Sequence, residues 1–269
     1  MSFFIYRRND MMENKSENNS FCSPEESFWQ ARTDLLLGRE KAEALRSSHV
    51  LVIGLGGVGG LAAEMICRAG ISKMTIADGD IVETTNRNRQ CAALTSTVGK
   101  KKVTVMQERL MDINPDLDLA VCGDFLEDLR MEELLLAAKY DCVLDAIDTI
   151  APKLLLAKTC LIHKIPLVSC MGSGARMDPA KITVADIGKT YNCPLAASIR
   201  KQLRKENFHK GFKAVFSTEN AIRSAVVECF SKNKRSNTGT ISYMPAAFAC
   251  HCAAAVVEEI LKNHEKGKK

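Results

Sequence analysis

A glycine-rich turn between an apolar strand and a helical segment constrains this chain more than any other feature. The run His49–Ile53 has no polar alternation, which is typical of a strand buried on both faces of a parallel sheet. It leads directly into Gly54-Leu55-Gly56-Gly57-Val58-Gly59, and helical spacing follows over residues 61–69. In that context, backbone N–H groups and the helix dipole hold phosphate groups. The pattern therefore predicts a strand, a phosphate-binding turn and a helix.

The alternation of strands and helices continues along the first 170 residues. Further strands are predicted at 74–77, 118–122, 142–146 and 166–169, and helices at 98–114, 131–138 and 151–163. This order predicts an α/β fold, Rossmann-like and doubly wound around a mainly parallel sheet. Strands at 182–185 and 214–216 and helices at 195–205 and 246–262 follow less regularly, so we expect a smaller mixed C-terminal extension.

Length and composition suit one large globular domain. With 269 residues, 46% of them hydrophobic, the chain can bury a sizeable core. We expect a disordered tail over residues 1–22, a helix start at Ser23-Pro24 and a single domain over 23–269, with a nucleotide-binding half to about 170 and a substrate half after it. The apolar stretch 241–260 contains Pro245, Glu258 and Glu259, which favours a buried helix over a membrane span.

The eleven cysteines indicate a reducing, cytoplasmic compartment. They are scattered through apolar segments, as expected of small core residues rather than a disulfide framework. The sequence contains no C-x-x-C pair, and Cys250-His251-Cys252 alone cannot supply a four-ligand zinc site.

A second feature of the predicted nucleotide site is Asp78, which ends the next strand 19 residues after Gly59. A carboxylate at this position accepts hydrogen bonds from ribose hydroxyls. A dehydrogenase that uses NAD would show the same two features, and a glycine turn kept only for tight packing is a further alternative.

The segment after Asp78 carries groups that a hydride-transfer enzyme does not need. Two asparagines and two arginines occupy positions 86–89, and cleavage of ATP requires such cations and amides on the triphosphate. Lys100-Lys101-Lys102 lies at a predicted helix start, where the helix dipole favours acids, so a bound anion is indicated. A solvated lysine run is the alternative.

Two carboxylates follow the strand that begins at Cys142. Asp148 falls just beyond the strand's carboxyl end, where sheets of this kind bind ligands, and a carboxylate beside polyphosphate commonly holds Mg²⁺. Asp145 lies nearer the strand and is the weaker candidate, because it could instead bind backbone N–H groups.

Five motifs follow one another over about a hundred residues: Gly54-x-Gly-Gly-x-Gly, Asp78-x-Asp80, Asn86-x-x-Arg89-Gln90, Val98-Gly99-x-x-Lys102 and Asp145-x-x-Asp148. In this order they resemble the ThiF/MoeB superfamily of adenylating enzymes, which are relatives of the ubiquitin-activating enzymes. The resemblance implies that ATP adenylates a carboxylate with loss of pyrophosphate.

The resemblance also implies roles for individual residues. It implies a homodimer in which Arg32, from a short N-terminal helix, reaches the phosphates in the partner subunit. The implied catalytic residues are Arg32, Arg89, Lys102 and Asp148, with Asp148 on Mg²⁺. The implied ATP-binding residues are Gly54, Gly56, Gly57, Gly59, Asp78, Asp80, Asn86, Arg89 and Lys102.

Motifs in the second half are similar to one branch of this superfamily. They are Gly172-Ser-Gly-Ala-Arg-Met-Asp-Pro179, Asp186-Ile-Gly-Lys-Thr190, Pro194-Leu-Ala196 before a basic helix, and Val215-Phe-Ser-Thr-Glu219. The branch is that of the tRNA threonylcarbamoyladenosine dehydratases. The implied reaction uses ATP to activate the threonyl carboxylate of the modified adenosine and closes a ring with loss of water.

The charge distribution fits a tRNA partner. The net charge is only +5, but residues 198–235 carry ten bases against three acids. We expect phosphate contacts, without base reading, from Arg200, Lys201, Arg204 and Lys205, and also from Lys232, Lys234 and Arg235. A solvated helix face is the alternative.

Several alternatives stay open at this point. The first is an adenylyltransferase for a ubiquitin-like sulfur carrier, against which the missing C-x-x-C zinc pairs count. The others are a redox enzyme and a non-catalytic scaffold. Also open are a chemical role for Cys193, a monovalent cation at the carbonyls of Gly172–Gly174, and a cysteine desulfurase or sulfur acceptor as a partner.

Overall fold

The structure of the protein is a computed structural model that describes residues 28–126, 129–228 and 236–267. The predicted tail, the helix start at Ser23, and the three bases Lys232, Lys234 and Arg235 lie outside these residues.

A seven-stranded sheet forms the centre of the fold. Its strands are β1 His49–Ile53, β2 Lys73–Ala77, β3 Asp118–Cys122, β4 Cys142–Asp145, β5 Leu167–Cys170, β6 Ile182–Asp186 and β7 Lys213–Ser217. Their spatial order is β3-β2-β1-β4-β5-β7-β6, and all neighbours are parallel except β6 and β7. The predicted doubly wound, mainly parallel α/β class is confirmed. The predicted C-terminal extension contributes β6 and β7 to the same sheet.

Eight helices and one small strand pair surround this sheet in the described part of the chain. The helices are α1 Ala31–Leu37, α2 Arg39–Arg46, α3 Gly59–Arg68, α4 Lys102–Ile113, α5 Leu129–Leu136, α6 Ile150–His163, α7 Pro194–Lys205 and α8 Tyr243–Lys266. The antiparallel pair β8 Val226–Glu228 and β9 Ser236–Thr238 was not predicted.

The prediction of a helix over 98–114 is wrong in its first turn, because α4 begins at Lys102. Residues 99–101 instead pair with the segment after β2: Gly99 N–H donates to Val82 and Val82 N–H donates to Lys100, each over 2.8 Å. Gly99 has φ +88°, which is incompatible with the interior of a right-handed helix. Of the three lysines, only Lys102 therefore lies in the helix.

The core has two layers, one on each face of the sheet. On one face, α3, α4 and α8 bury Ile66, Met106 and Phe248 against β1. On the other, α5, α6 and α7 bury Leu156 and Ile199, and alternate strand residues supply both layers. Helix α8 is long and apolar enough to span a membrane by length and composition alone, yet half of its apolar window is buried in the protein. The prediction of a buried helix there is confirmed.

The first turn of α3 packs against the end of β1 with no space for a side chain. A Cβ atom added at Gly59 would lie 1.8 Å from the carbonyl oxygen of Gly54 and 2.9 Å from Cβ of Ala146. A Cβ at Gly56 would meet only Nε2 of Gln90, at 3.9 Å. Packing therefore requires glycine at position 59, whereas position 56 has space for a side chain.

We predict that Gly59→Ala destabilises the fold by about 2 kcal/mol or more, because backbone must shift to relieve the overlap. Gly56→Ala, the matched control, is expected to change stability by less than about 0.5 kcal/mol. Urea unfolding of both variants measures the difference. Equal midpoints for the two variants would contradict this account of the turn.

Candidate nucleotide-binding site

The crevice between the carboxyl ends of β1 and β4 is the point where the order of strands reverses. From β1 the chain passes through α3 to β2 on one side, while β4 lies on the other side. The two ends touch, because Ala146 N–H donates to Ile53 over 2.8 Å and a Cβ at Gly54 would lie 2.9 Å from the carbonyl oxygen of Ala146. Sheets of this kind bind ligands in this crevice.

The glycine turn is closed toward the protein and open toward the crevice. Gly57 contacts α8, since a Cβ there would lie 3.1 Å from Cβ of Pro245. Beside Gly56, Gln90 is 8% exposed and its Oε1 has no hydrogen-bond partner in the described part of the chain. A buried polar atom without a partner is costly, so a ligand donor or ordered water is favoured next to this turn. The sequence places Gln90 in the motif Asn86-x-x-Arg89-Gln90 but assigns it no role in the site.

Asp78 fastens the glycine turn to the end of β2. Its two carboxylate oxygens accept hydrogen bonds from Leu55 N–H at 2.6 Å and Asp80 N–H at 2.8 Å. Burial raises the pKa of Asp78, while the nearby Lys102 charge and the two N–H donors act in the opposite direction. Each oxygen keeps a free lone pair, so the geometry is compatible with the predicted bonds to ribose hydroxyls.

Lys102 lies in the same cluster and is almost fully buried, at 5% exposure. Its Nζ lies 2.8 Å from Oδ2 of Asp80 and 4.0 Å from Oδ2 of Asp78. The structure therefore brings Asp78, Asp80 and Lys102 together at the end of β2, next to the glycine turn.

The other two polar residues of the predicted site shape the segment after β2. Asn86 is buried, and its Oδ1 accepts Glu83 N–H at 3.1 Å, which holds a single 3-10 turn. Arg89 is half-buried, and its Nη1 donates to Thr85 O at 3.0 Å and to Asn88 Oδ1 at 2.8 Å. The backbone of Arg89 lies against Gly57, so this segment forms one wall of the crevice.

A buried ion pair anchors the opposite wall. Asp145 and Lys153 are both fully buried, and Lys153 Nζ lies 2.8 Å from Asp145 Oδ2. The same carboxylate accepts Ser169 Oγ at 2.6 Å and Ile147 N–H at 3.0 Å, while Lys153 Nζ donates to Ile147 O at 2.9 Å. Asp145 thus has the structural role considered for it, and the loop it holds carries Asp148, which is exposed at the crevice mouth.

The helix that carries Arg32 begins beside the end of α3 that is farther from the glycine turn. This helix, α1, follows Gln30, whose side chain contacts Gly70 just after the end of α3. The turn lies at the other end of that ten-residue helix, about 15 Å away at 1.5 Å per residue.

The remaining predicted residues lie in the second half. Lys201, Arg204 and Lys205 are exposed on α7, whereas Arg200 is half-buried and donates a hydrogen bond to Thr190. Cys193 is buried at the start of α7. The carbonyls of Gly172 and Gly174, considered for a monovalent cation, accept hydrogen bonds from Arg176.

Comparisons with known proteins agree with this arrangement. A family model for the ThiF family matches residues 30–269. A tRNA threonylcarbamoyladenosine dehydratase of Bacillus subtilis is 42% identical over 192 residues, which cover 71% of this chain and 75% of that protein. A molybdopterin-synthase adenylyltransferase of Escherichia coli is 37% identical over 142 residues, or 53% of this chain and 55% of that protein.

A solved structure gives a similar result. The crystal structure of the E. coli tRNA N6-threonylcarbamoyladenosine dehydratase in complex with ATP superposes with a TM-score of 0.80 at 33% sequence identity. The match covers 89% of this chain and 98% of that one. The similarity therefore extends over both halves of the fold.

Proposed function

The chain belongs to the ThiF family, and from that premise we propose that it is an ATP-dependent tRNA threonylcarbamoyladenosine dehydratase. The observation that carries the proposal is the extent of the similarity to proteins of that name, which includes the substrate half. The sulfur-carrier adenylyltransferase, the alternative, resembles the chain over a shorter span.

ATP is the substrate that the crevice accommodates best. The glycine turn is open beside Gly56, where no atom other than Nε2 of Gln90 would lie within 4 Å of an added Cβ. Phosphates bind such turns at helix N-termini, here that of α3. Asp78 at the end of β2 is the acceptor for the ribose hydroxyls.

The reaction follows from the chemistry of the two substrates. A carboxylate oxygen of the threonyl group attacks the α-phosphorus of ATP, and pyrophosphate leaves. A carbamoyl atom of the same nucleoside then attacks the acyl carbon, a ring closes and AMP leaves. The nucleoside loses one water in total. The nucleophile is already tethered to the acyl carbon, so no covalent bond to the enzyme is needed.

The residues around the crevice stabilise the charge that this reaction moves. Arg89 and Lys102 are the cations and Asn86 the amide placed beside the phosphates, where fixed donors contribute most. Asp148, on the loop after β4, together with substrate phosphates would form the donor set for Mg²⁺. When bound, Mg²⁺ neutralises charge on the leaving pyrophosphate.

We predict that the protein, given threonylcarbamoyl-modified tRNA, ATP and Mg²⁺, removes one water from the modified adenosine, and that Asp148→Asn lowers this rate by about 100-fold or more. Mass spectrometry of digested nucleosides measures both. Asp124→Asn, an exposed carboxylate after β3, is the matched control and should retain full activity.

An unchanged nucleoside in the presence of bound ATP would overturn the proposed substrate. Pyrophosphate exchange that requires a small carrier protein ending in Gly-Gly would then support the adenylyltransferase. Full activity of Asp148→Asn would remove that residue from the metal role.

We further propose a homodimer in which α1 extends to the partner. Leu35 and Leu36 on this helix are 89% and 83% exposed, and α1 buries no residue within its own subunit. Two large apolar side chains side by side on a surface favour association. Since α1 begins beside the end of α3 that lies about 15 Å along that helix from the glycine turn, a crossing helix explains both the position of Arg32 and its predicted role.

Mixed dimers test this arrangement. Arg32→Ala and Asp148→Asn should each be inactive alone, yet random mixing should restore about a quarter of wild-type activity, because half of the dimers then hold one intact composite site. Arg39→Ala, an exposed arginine on the neighbouring α2, is the control and should stay active by itself. Absence of recovery in dimers shown to have exchanged subunits would place Arg32 outside the partner's site.

The exposed bases of α7 form the proposed tRNA surface. Arg200 contributes less to it, because its guanidinium is hydrogen-bonded to Thr190.

We place the reaction in the cytoplasm, in accord with the nine cysteines of the described residues, all of which are free. A cysteine desulfurase or sulfur acceptor as a partner stays a prediction from the resemblance.

We predict that the double variant Lys201→Glu/Arg204→Glu weakens tRNA binding and lowers the slope of log affinity against log salt by about 2, one for each lost phosphate contact. Lys139→Glu/Lys262→Glu changes the net charge equally at exposed positions outside α7 and should bind as wild type. Filter binding over a salt series distinguishes the pairs. Identical slopes for the two double variants would exclude α7 as the surface.

A further inference from the structure

Arg176 is a buried cation in the loop that follows β5. Its side chain is 4% exposed. Nη1 donates to the carbonyl oxygens of Gly172 at 2.7 Å and Gly174 at 3.2 Å, Nη2 donates to that of Asn192 at 3.1 Å, and Nε donates to that of Glu219 at 3.3 Å. All these acceptors are main-chain carbonyls.

The balance of charge around this guanidinium is unusual. Within residues 28–126, 129–228 and 236–267, the salt bridges recorded at 4 Å or less do not include Arg176. The nearby carboxylate of Glu219 instead accepts N–H groups of Met177 and Asp178, at 3.1 and 3.0 Å. A buried charge is costly unless polar groups compensate for it, and here carbonyl dipoles do so. Rings of carbonyl oxygens are also the donor set that proteins use for K⁺.

These carbonyls come from three different loops. Gly172 and Gly174 follow β5, Glu219 follows β7, and Asn192 precedes α7. We call the four carbonyl oxygens around Arg176 the carbonyl cage. Two residues of these loops have left-handed backbone conformations: Ala175 with φ 57° and Asn192 with φ 53°. This conformation is unfavourable for alanine, so the surrounding contacts must hold it.

The carbonyl cage lies beside the strands that border the crevice. Strand β5 neighbours β4, and its Ser169 bonds to the Asp145 carboxylate that anchors the Asp148 loop. The three loops therefore lie on the substrate side of the proposed site, at the same edge of the sheet as the glycine turn.

We propose that the Arg176 guanidinium replaces a bound monovalent cation in the carbonyl cage, so that the protein orders its substrate-side loops without K⁺ or Na⁺. Arg176 is then a positioning residue. Its planar fork spans acceptors on separate loops, which a lysine ammonium on one flexible stem cannot match.

The experiment compares wild type and Arg176→Ala in buffers of equal ionic strength that contain K⁺, Na⁺ or choline, with and without a few millimolar guanidinium. Melting temperature and ATP-dependent pyrophosphate release are the two measurements. Wild type should give the same values in all three salts. In choline, Arg176→Ala should melt at a lower temperature and lose activity about tenfold or more through misplaced loops. Guanidinium, K⁺ or Na⁺ should restore part of both.

Two further variants sharpen the test. Arg223→Ala removes an exposed arginine from a neighbouring turn and should not depend on the cation. Arg176→Lys keeps the charge but not the fork, and should lie between wild type and Arg176→Ala. If Arg176→Ala does not fold, Arg176→Lys is measured in the same series.

Three results would overturn the proposal. They are a wild-type protein that needs K⁺ or Na⁺, an Arg176→Ala protein equally impaired in every salt and unaffected by guanidinium, and failure of both Arg176 variants to gain stability from any cation. The melting temperature requires no tRNA, so this outcome is independent of whether the proposed dehydratase activity is found.

Discussion

The close approach of the turn after β1 to the loop after β4 is the constraint on which the rest of the site depends. Gly54 and Gly59 leave no room for a Cβ on the side that faces Ala146, whereas Gly56 leaves room on the side that faces the crevice. The same turn is therefore tightly packed on one side and open on the other. Any side chain that separated β1 from β4 would also displace the N-terminus of α3, which provides the phosphate site.

Two buried lysines fix the positions of the strand ends on either side of this turn. Lys102 pairs with Asp80 at the end of β2, and Lys153 pairs with Asp145 at the end of β4. A buried charge without its partner is strongly unfavourable, so each pair makes one loop conformation much more stable than its alternatives. Each lysine is held by its carboxylate, so both pairs make the strand ends rigid. In the proposed function, Lys102, Arg89 and, through the proposed dimer, Arg32 provide the positive charge for the phosphates.

The sequence predicts those parts of the fold that depend on local pattern. Strands buried on both faces are continuous apolar runs, and all seven strands of the sheet begin and end within about two residues of the prediction. The helix predicted from residue 98 begins only at Lys102, because residues 99–101 pair with the segment after β2. Lys153 and Arg176 were missed for the same reason. A lysine within an apolar helix indicates a buried partner of opposite charge. That this partner is Asp145 follows only from the packing of α6 against β4.

The nucleotide half alone does not determine the acceptor of the adenylyl group, because a phosphate turn, a ribose carboxylate and a metal carboxylate serve any carboxylate substrate equally. Specificity must come from what borders the crevice on the β5 and β7 side. There the loops are irregular and include left-handed residues, so an internal contact is needed to hold them in one conformation. Arg176 provides that contact through four main-chain carbonyls from three loops. Its bonds go to main-chain oxygens, so the side chains of these loops can vary with the substrate while the cage that orders them stays the same.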